Sequence, residues 1–193
     1  MAAFPRHGET GRWARLRRFA RGRDGVAAVE FAIVFPVLLI IVAGSIDTSE
    51  ALHASGRSTK VAATLAGFLA DQNRWTTADV DELITAGSFM MRPYEAGSVK
   101  ITLSVLKVAA DGTARVTASR ALGTTPLVVG SISPVEVPAK IGDPAVNLVL
   151  AQVDYSLVTP FSALWPGFTV NNRFHLLKHY FARPRQNNTI VIQ

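Results

Sequence analysis

Two hydrophobic patterns follow one another along the first third of the chain. Residues 26–46 (VAAVEFAIVFPVLLIIVAGSI) are apolar or small at every position except Glu30. Such a run has no polar face to turn toward water. At 1.5 Å per residue, a helix of about 20 residues covers the ~30 Å hydrocarbon core of a bilayer, so a transmembrane helix is predicted. The competing reading is a buried helix of a soluble protein, but those are rarely so long and uniformly apolar. Beyond it the pattern changes. Ala51, Leu52, Val61, Ala62, Leu65, Phe68 and Leu69 fall on helical spacing, with Glu50, Arg57, Ser58 and Lys60 between them. No proline interrupts 37–73. The spacing therefore predicts one helix from Val26 to about Ala70, apolar all round in its first half and amphipathic in its second. Only the second half needs a domain to pack against.

After Asp71-Gln-Asn-Arg the helical period is lost. Thr77 is placed to cap a short helix from Ala78 to about Met91, with Asp79, Asp81 and Glu82 favourable in its first turn. Pro93 and Gly97 end it. Val99, Ile101, Leu103, Val105 and Val108 then alternate with polar residues, Asp111-Gly112 turns, and Ala114, Val116 and Ala118 alternate again, which predicts a hairpin. Residues 122–145 are rich in Gly, Pro and Ser and read as a long connection with a short strand near 135–137. A long strand is predicted over 146–158, ended by Thr159-Pro160, and 160–167 reads as a loop. Residues 174–183 suit a final strand or a short helix, and 188–193 a loosely held tail or an edge strand. No internal repeat is present. The fold class expected is α+β: a long N-terminal helix whose distal half packs on a small antiparallel sheet. Its organisation would be a leader at 1–25, a membrane helix at 26–46, its amphipathic continuation at 47–73 and an outer domain at 74–193.

Charge adds a direction. The net charge is +6. Arg6, Arg12, Arg15, Arg17, Arg18, Arg21 and Arg23 face only Glu9 and Asp24 before Gly25, so that segment carries +5 (seven minus two) and the remainder +1. The basic pI thus belongs to the leader, and nucleic-acid binding by the folded part loses its electrostatic footing. Arginine on one flank of the apolar run, with Asp47 and Glu50 on the other, places the N-terminus in the cytoplasm and the bulk of the chain outside. The leader reads as disordered, although Trp13, Leu16 and Phe19 could form an amphipathic turn on anionic lipid. The chain has no cysteine, which excludes disulfides and thiolate metal sites.

Glu30 is the anomaly. A carboxylate inside a membrane span costs roughly 2.5–3.5 kcal/mol on insertion scales, so a paired or functional role is its default reading. The alternative is that Glu30 sits at headgroup level and the span begins at Phe31. Its setting, Arg-Asp-Gly25 followed by Val-Ala-Ala-Val-Glu30-Phe-Ala-Ile-Val-Phe-Pro36-Val-Leu-Leu, resembles the N-terminus of TadE/TadG-like pseudopilins, minor components of bacterial tight-adherence (Tad, Flp-type) pilus systems. The resemblance is dense over about residues 20–52, including Pro36 and the acidic residue shortly past the span, and the Tyr155…Pro160 strand end is similar to the family's C-terminal half. It implies cleavage after Gly25 by a membrane-embedded prepilin peptidase, where glycine lets the backbone extend into a tight active site. It further implies that Glu30, fifth from the new Val26 amine, pairs with the amine of a neighbouring subunit and so offsets the burial of both charges. Partners implied are inner-membrane lipid, the peptidase, other pilin subunits and the Tad assembly machinery, with no cofactor, nucleic acid or small-molecule substrate.

Pro36, in mid-span, removes one backbone hydrogen bond and would kink or loosen the helix, either for extraction and bundle packing or with no special role. Ala28 and Ala32 offer a small-residue contact face. Elsewhere the chemistry is sparse. His175 and His179 could share a metal only if their segment were helical, and two ligands make no site. Asp79, Asp81 and Glu82 read as helix-start charges rather than a calcium site. Trp75 and Trp165 suit either an interfacial anchor or packing in core or loop. No nucleophile elbow, GxGxxG or P-loop occurs, so an enzyme is not expected. Two other readings remain: an uncleaved signal-anchored envelope protein whose outer domain binds another envelope component, and a secretory signal cut near Ala43-Gly-Ser45, against which the continuing helical pattern argues.

Overall fold

The computed structural model of the protein describes residues 24–138, 140–144, 146–185 and 189–193. The expected basic leader, with its Trp13–Leu16–Phe19 turn, lies outside the described residues up to Arg23. Helix α1 spans Asp24–Asp71, 48 residues with Pro36 inside it. This is the predicted single helix, lengthened by a residue or two at each end, as helix boundaries commonly are. The chain divides into two units, Met1–Ile46 and Asp47–Gln193. In the first, the side chains from Val26 to Val42 are exposed, among them Phe31 and Phe35, whose rings stack 5.2 Å apart.

In the second unit the amphipathic part of α1 buries Ala54, Ser58, Val61, Ala62, Leu65, Ala66, Leu69 and Ala70, one stripe at three- and four-residue spacing. Four of these eight are alanine, which keeps the stripe narrow and lets the helix approach its neighbours closely. Leu52 and Phe68, grouped with this face in the sequence, are exposed instead because they fall outside that stripe. Helix α2 covers Thr77–Phe89. Its cap is Thr76, not Thr77: the Thr76 hydroxyl accepts from Asp79 N at 3.1 Å, and the Asp79 carboxylate accepts from Thr76 N at 3.2 Å. This reciprocal box needs the acid three residues after the hydroxyl, which selects Thr76. The helix ends two residues before Met91, which is nevertheless buried in the core.

Strands β2 (Val99–Val108), β3 (Ala114–Leu122), β4 (Asn147–Leu157) and β5 (Phe174–Ala182) form an antiparallel sheet in the order β3-β2-β4-β5. Short strands β1 (Arg74–Trp75) and β6 (Val191–Ile192) pair in parallel. The fold is α+β, and the alternatives for 174–183 and 188–193 resolve as a strand and, at Val191–Ile192, an edge pairing. One sheet face (Ile101, Leu103, Val105, Val149, Ala151, Val153) packs with the α1 stripe and with Val80 and Ile84 of α2. The other face (Leu106, Val108, Leu148, Leu150) is covered by Leu127, Val135 and Val137 of the β3–β4 connection. Two-sided cover explains why β2 is buried at nearly every position.

Two further details depart from the sequence reading. Ala114, Val116 and Ala118 do not share a face. Val105 pairs with Ala118 but Leu106 pairs with Val116, so Thr117 is the extra residue of a β-bulge, its hydroxyl donating to Val105 O at 3.0 Å. The bulge sends Val116 to the outer cluster and Ala118 to the helix side. Residues 135–137 form no strand; Pro134 and Pro138 bracket them and cannot donate to a ladder. The strand-like contact of this connection falls earlier, at the Arg115–Ile132 bridge.

Candidate membrane and subunit-contact segment

Gly25, Val26, Glu30 and Pro36 all lie on one uninterrupted helix. The described helix carries a run long and apolar enough to cross a membrane, with a mean hydropathy of 2.8 over its most apolar window. Val26 and Glu30 are four residues apart, and so on the same side of the first turns. Gly25 meets nothing within 4 Å where a Cβ would stand, and the Gly25–Val26 peptide lies within the helix. Pro36 has no N–H to give to the carbonyl of Ala32, yet the helix continues past it. It also runs unbroken through Ala43-Gly44-Ser45, where the Ser45 hydroxyl donates to Ile41 O at 2.8 Å.

Asp47, the first residue of the second unit, is a buried carboxylate of α1 and is 1% exposed. Its two oxygens are used separately: Oδ1 accepts from the Phe161 amide at 3.2 Å and Oδ2 from the Trp165 indole N–H at 2.9 Å. The loop after β4 is thereby tied to the start of the second unit. Inside the loop, Ser162–Leu164 make a 3₁₀ turn, and Phe168 N and Thr169 N both donate to Trp165 O. Trp165 thus takes the packing role of the two offered by the sequence, and so does Trp75, whose indole donates to Leu69 O at 3.1 Å. The sequence treated Asp47 as a flanking charge; its partners are 114 and 118 residues away, beyond the reach of any local pattern.

Next to this tie, Tyr155 of β4 is buried and its ring lies 5.8 Å from that of Tyr94, whose hydroxyl donates to Glu50 O at 3.5 Å. Burial pushes the Tyr155 phenol above its usual range. On the far side of the unit, Asp81 of α2 pairs with Arg120 of β3, the Arg120 Nε donating to Oδ1 at 2.9 Å. That bond holds the Asp81 carboxyl below its usual range. His175 and His179 sit on a strand and are exposed, so the helical spacing a shared metal would require is not formed. Among the described residues no group of three or more His, Asp or Glu side chains is arranged to hold a metal ion.

The family model of TadE-like proteins matches residues 25–66, from the glycine at the expected cleavage point into the amphipathic half of α1. The match agrees with the family indicated by the sequence pattern and associates this segment with the Tad pilus. Comparison with curated proteins and with solved structures gives no match.

Proposed function

We propose that this chain is a minor pilin or pseudopilin of a tight-adherence pilus system. It would cross the inner membrane once, with its arginine-rich leader in the cytoplasm and its outer unit in the periplasm. A prepilin peptidase would remove the leader by cutting between Gly25 and Val26, and the mature chain would act in pilus assembly or adhesion. The observation that carries this reading is the TadE-like match over 25–66, which begins at the glycine itself and covers a continuous helix. The charge step supports it: cleavage would leave a nearly neutral mature chain with a single new amine at the membrane face.

Glu30 would pair with the Val26 amine of a neighbouring subunit. In hydrocarbon an unpaired carboxylate and an unpaired ammonium are both costly, so helices that bring them together are favoured over those that do not. Pro36 would loosen the helix where it must leave the lipid for a bundle of like helices. Partners would be other pilin subunits and the Tad assembly machinery.

Expression with and without the prepilin peptidase tests the processing step. Mass spectrometry of the N-terminus should find Val26 first in the peptidase-positive strain, and any other N-terminus there sinks it. Glu30→Ala should leave cleavage mostly intact yet impair assembly, and normal piliation in that variant would remove Glu30 from the mechanism. One observation favours a second reading, that of an uncleaved signal-anchored envelope protein: the Gly25–Val26 peptide is already helical, and a peptidase must unwind it. A leader retained in the presence of the peptidase would favour that reading.

A further inference from the structure

The loop between β4 and β5 is unusual for an exposed segment. Residues 155–172 contain no charged side chain. Yet Val158, Leu164, Phe168 and Val170 are all more than half exposed, Phe168 at 82%. Loops facing water are normally polar, and several exposed apolar side chains within one short uncharged loop point to an interaction surface. This surface is also held in a fixed place. Phe161 N and the Trp165 indole are bonded to the carboxylate of Asp47, and the turn carrying Phe168 is bonded back to Trp165 O. Asp47 follows directly on the apolar run that ends at Ile46.

We propose that the 158–170 loop is a membrane-contact element that seats Leu164, Phe168 and Val170 in the headgroup–acyl boundary of the outer leaflet. The proposal rests on α1 crossing the bilayer. From Val26, a span of about 20 residues reaches its outer boundary at about Ile46. A loop bound to the next side chain is therefore at that boundary. Its composition suits the place: exposed Leu and Phe side chains are what interfacial elements bury at this depth, and lysine, aspartate and glutamate are absent from the loop. The bonds to Asp47 serve the same end. They cover the carboxylate that directly follows the apolar run, and the same loop exposes apolar side chains. A second copy of this chain, seated on the same patch, is the occupant to be distinguished.

The chain lacks cysteine, so single spin labels can be placed without removing native thiols. Leu164→Cys and Phe168→Cys would be labelled in the full chain, reconstituted in vesicles of phosphatidylethanolamine and phosphatidylglycerol. Leu39→Cys in the span and Val128→Cys, an exposed apolar site on the β3–β4 connection, provide the references. All four positions are exposed, so the label need not disturb the core. The expected result is that labels at 164 and 168 collide with oxygen several-fold more often, and with a water-soluble nickel chelate several-fold less often, than the label at 128. Chelate access equal to that at 128 overturns the proposal. Protection from both reagents also overturns it, in favour of a contact between copies. If the Leu39 label is itself open to the chelate, the spanning topology fails and the loop proposal with it. A lipid-exposed Leu39 beside water-exposed Leu164 and Phe168 refutes the loop proposal alone.

Discussion

Gly87 offers a direct test of how α2 meets α1. It lies on the buried face of α2, and a Cβ added there would stand 2.7 Å from Leu65 Cδ1, 2.8 Å from Cδ2 and 3.1 Å from Cγ. Leu65 is itself buried, so its methyl groups cannot swing freely into solvent. Forcing a methyl into a packed core costs about 1–3 kcal/mol, whereas replacing a helical glycine by alanine returns about 0.5–1 kcal/mol. Gly87→Ala should therefore destabilise the second unit by up to about 2.5 kcal/mol. Leu65→Ala alone should cost about 2–5 kcal/mol by opening a cavity. In that background the three contacting atoms are gone, and Gly87→Ala should instead stabilise by about 0.5–1 kcal/mol from propensity and partial refilling. The sign reverses, with a coupling of about 1–3 kcal/mol, within the range for residues in contact. Guanidinium unfolding of the detergent-solubilised full chain would measure it by tryptophan fluorescence, since Trp75 is bonded to the same helix at Leu69. Equal destabilisation in both backgrounds would show that Leu65 is not what limits the space at Gly87, and the packing argument would fall.

Asp47→Ala should leave the Phe161 amide and the Trp165 indole N–H without their acceptor, at about 1–3 kcal/mol for each orphaned donor. Hydrogen exchange should speed up at Phe161 while amides of β2 and β4 keep their protection; an unchanged Phe161 rate would contradict the tie. The Asp81–Arg120 pair predicts an acid-side effect. Because Arg120 lowers the folded-state pKa of Asp81, its contribution is present above the unfolded carboxylate value and is lost as pH falls through the lower folded one. Unfolding midpoints of the native chain and Arg120→Gln should therefore converge as the solution is acidified below about pH 4, and a constant gap would rule out this linkage.

What could be read from the chain depended on the range of the interactions involved. The extent of α1 was legible because hydrophobicity of the 26–46 run and the stripe after Ala51 are local periodicities. So was the β2–β3 hairpin, with its Asp111-Gly112 turn. The bulge at Thr117 was not, since nothing about a threonine announces that two residues will oppose one across the ladder. Alternation without it put Val116 and Ala118 on one face. The cap at Thr76 was missed by one position, although the Thr76-x-x-Asp79 spacing held the signal. Asp47 gave no hint of its role because its partners come from a loop far along the chain. The absence of charge over 155–172 was the one sign available that this loop meets something other than water.

The cover that the β3–β4 connection lays over the sheet also bears on aggregation. A small antiparallel sheet invites other chains to add at its edges, and a protein concentrated in the plane of a membrane would meet its own copies often. Along the start of β3 that invitation is withdrawn. Val116 N donates to Ser131 O at 2.9 Å, Gly130 N to Val116 O at 2.7 Å and Ser133 N to Ala114 O at 2.8 Å, so the chain's own 130–133 segment occupies the place a foreign strand would take. The opposite edge, β5, has no such partner among the described residues. It presents Lys178 within the strand, and a lysine on an edge strand discourages another chain from adding there. The start of one edge is thus closed by backbone and the other edge carries a lysine, both of which disfavour strand addition between copies of this unit.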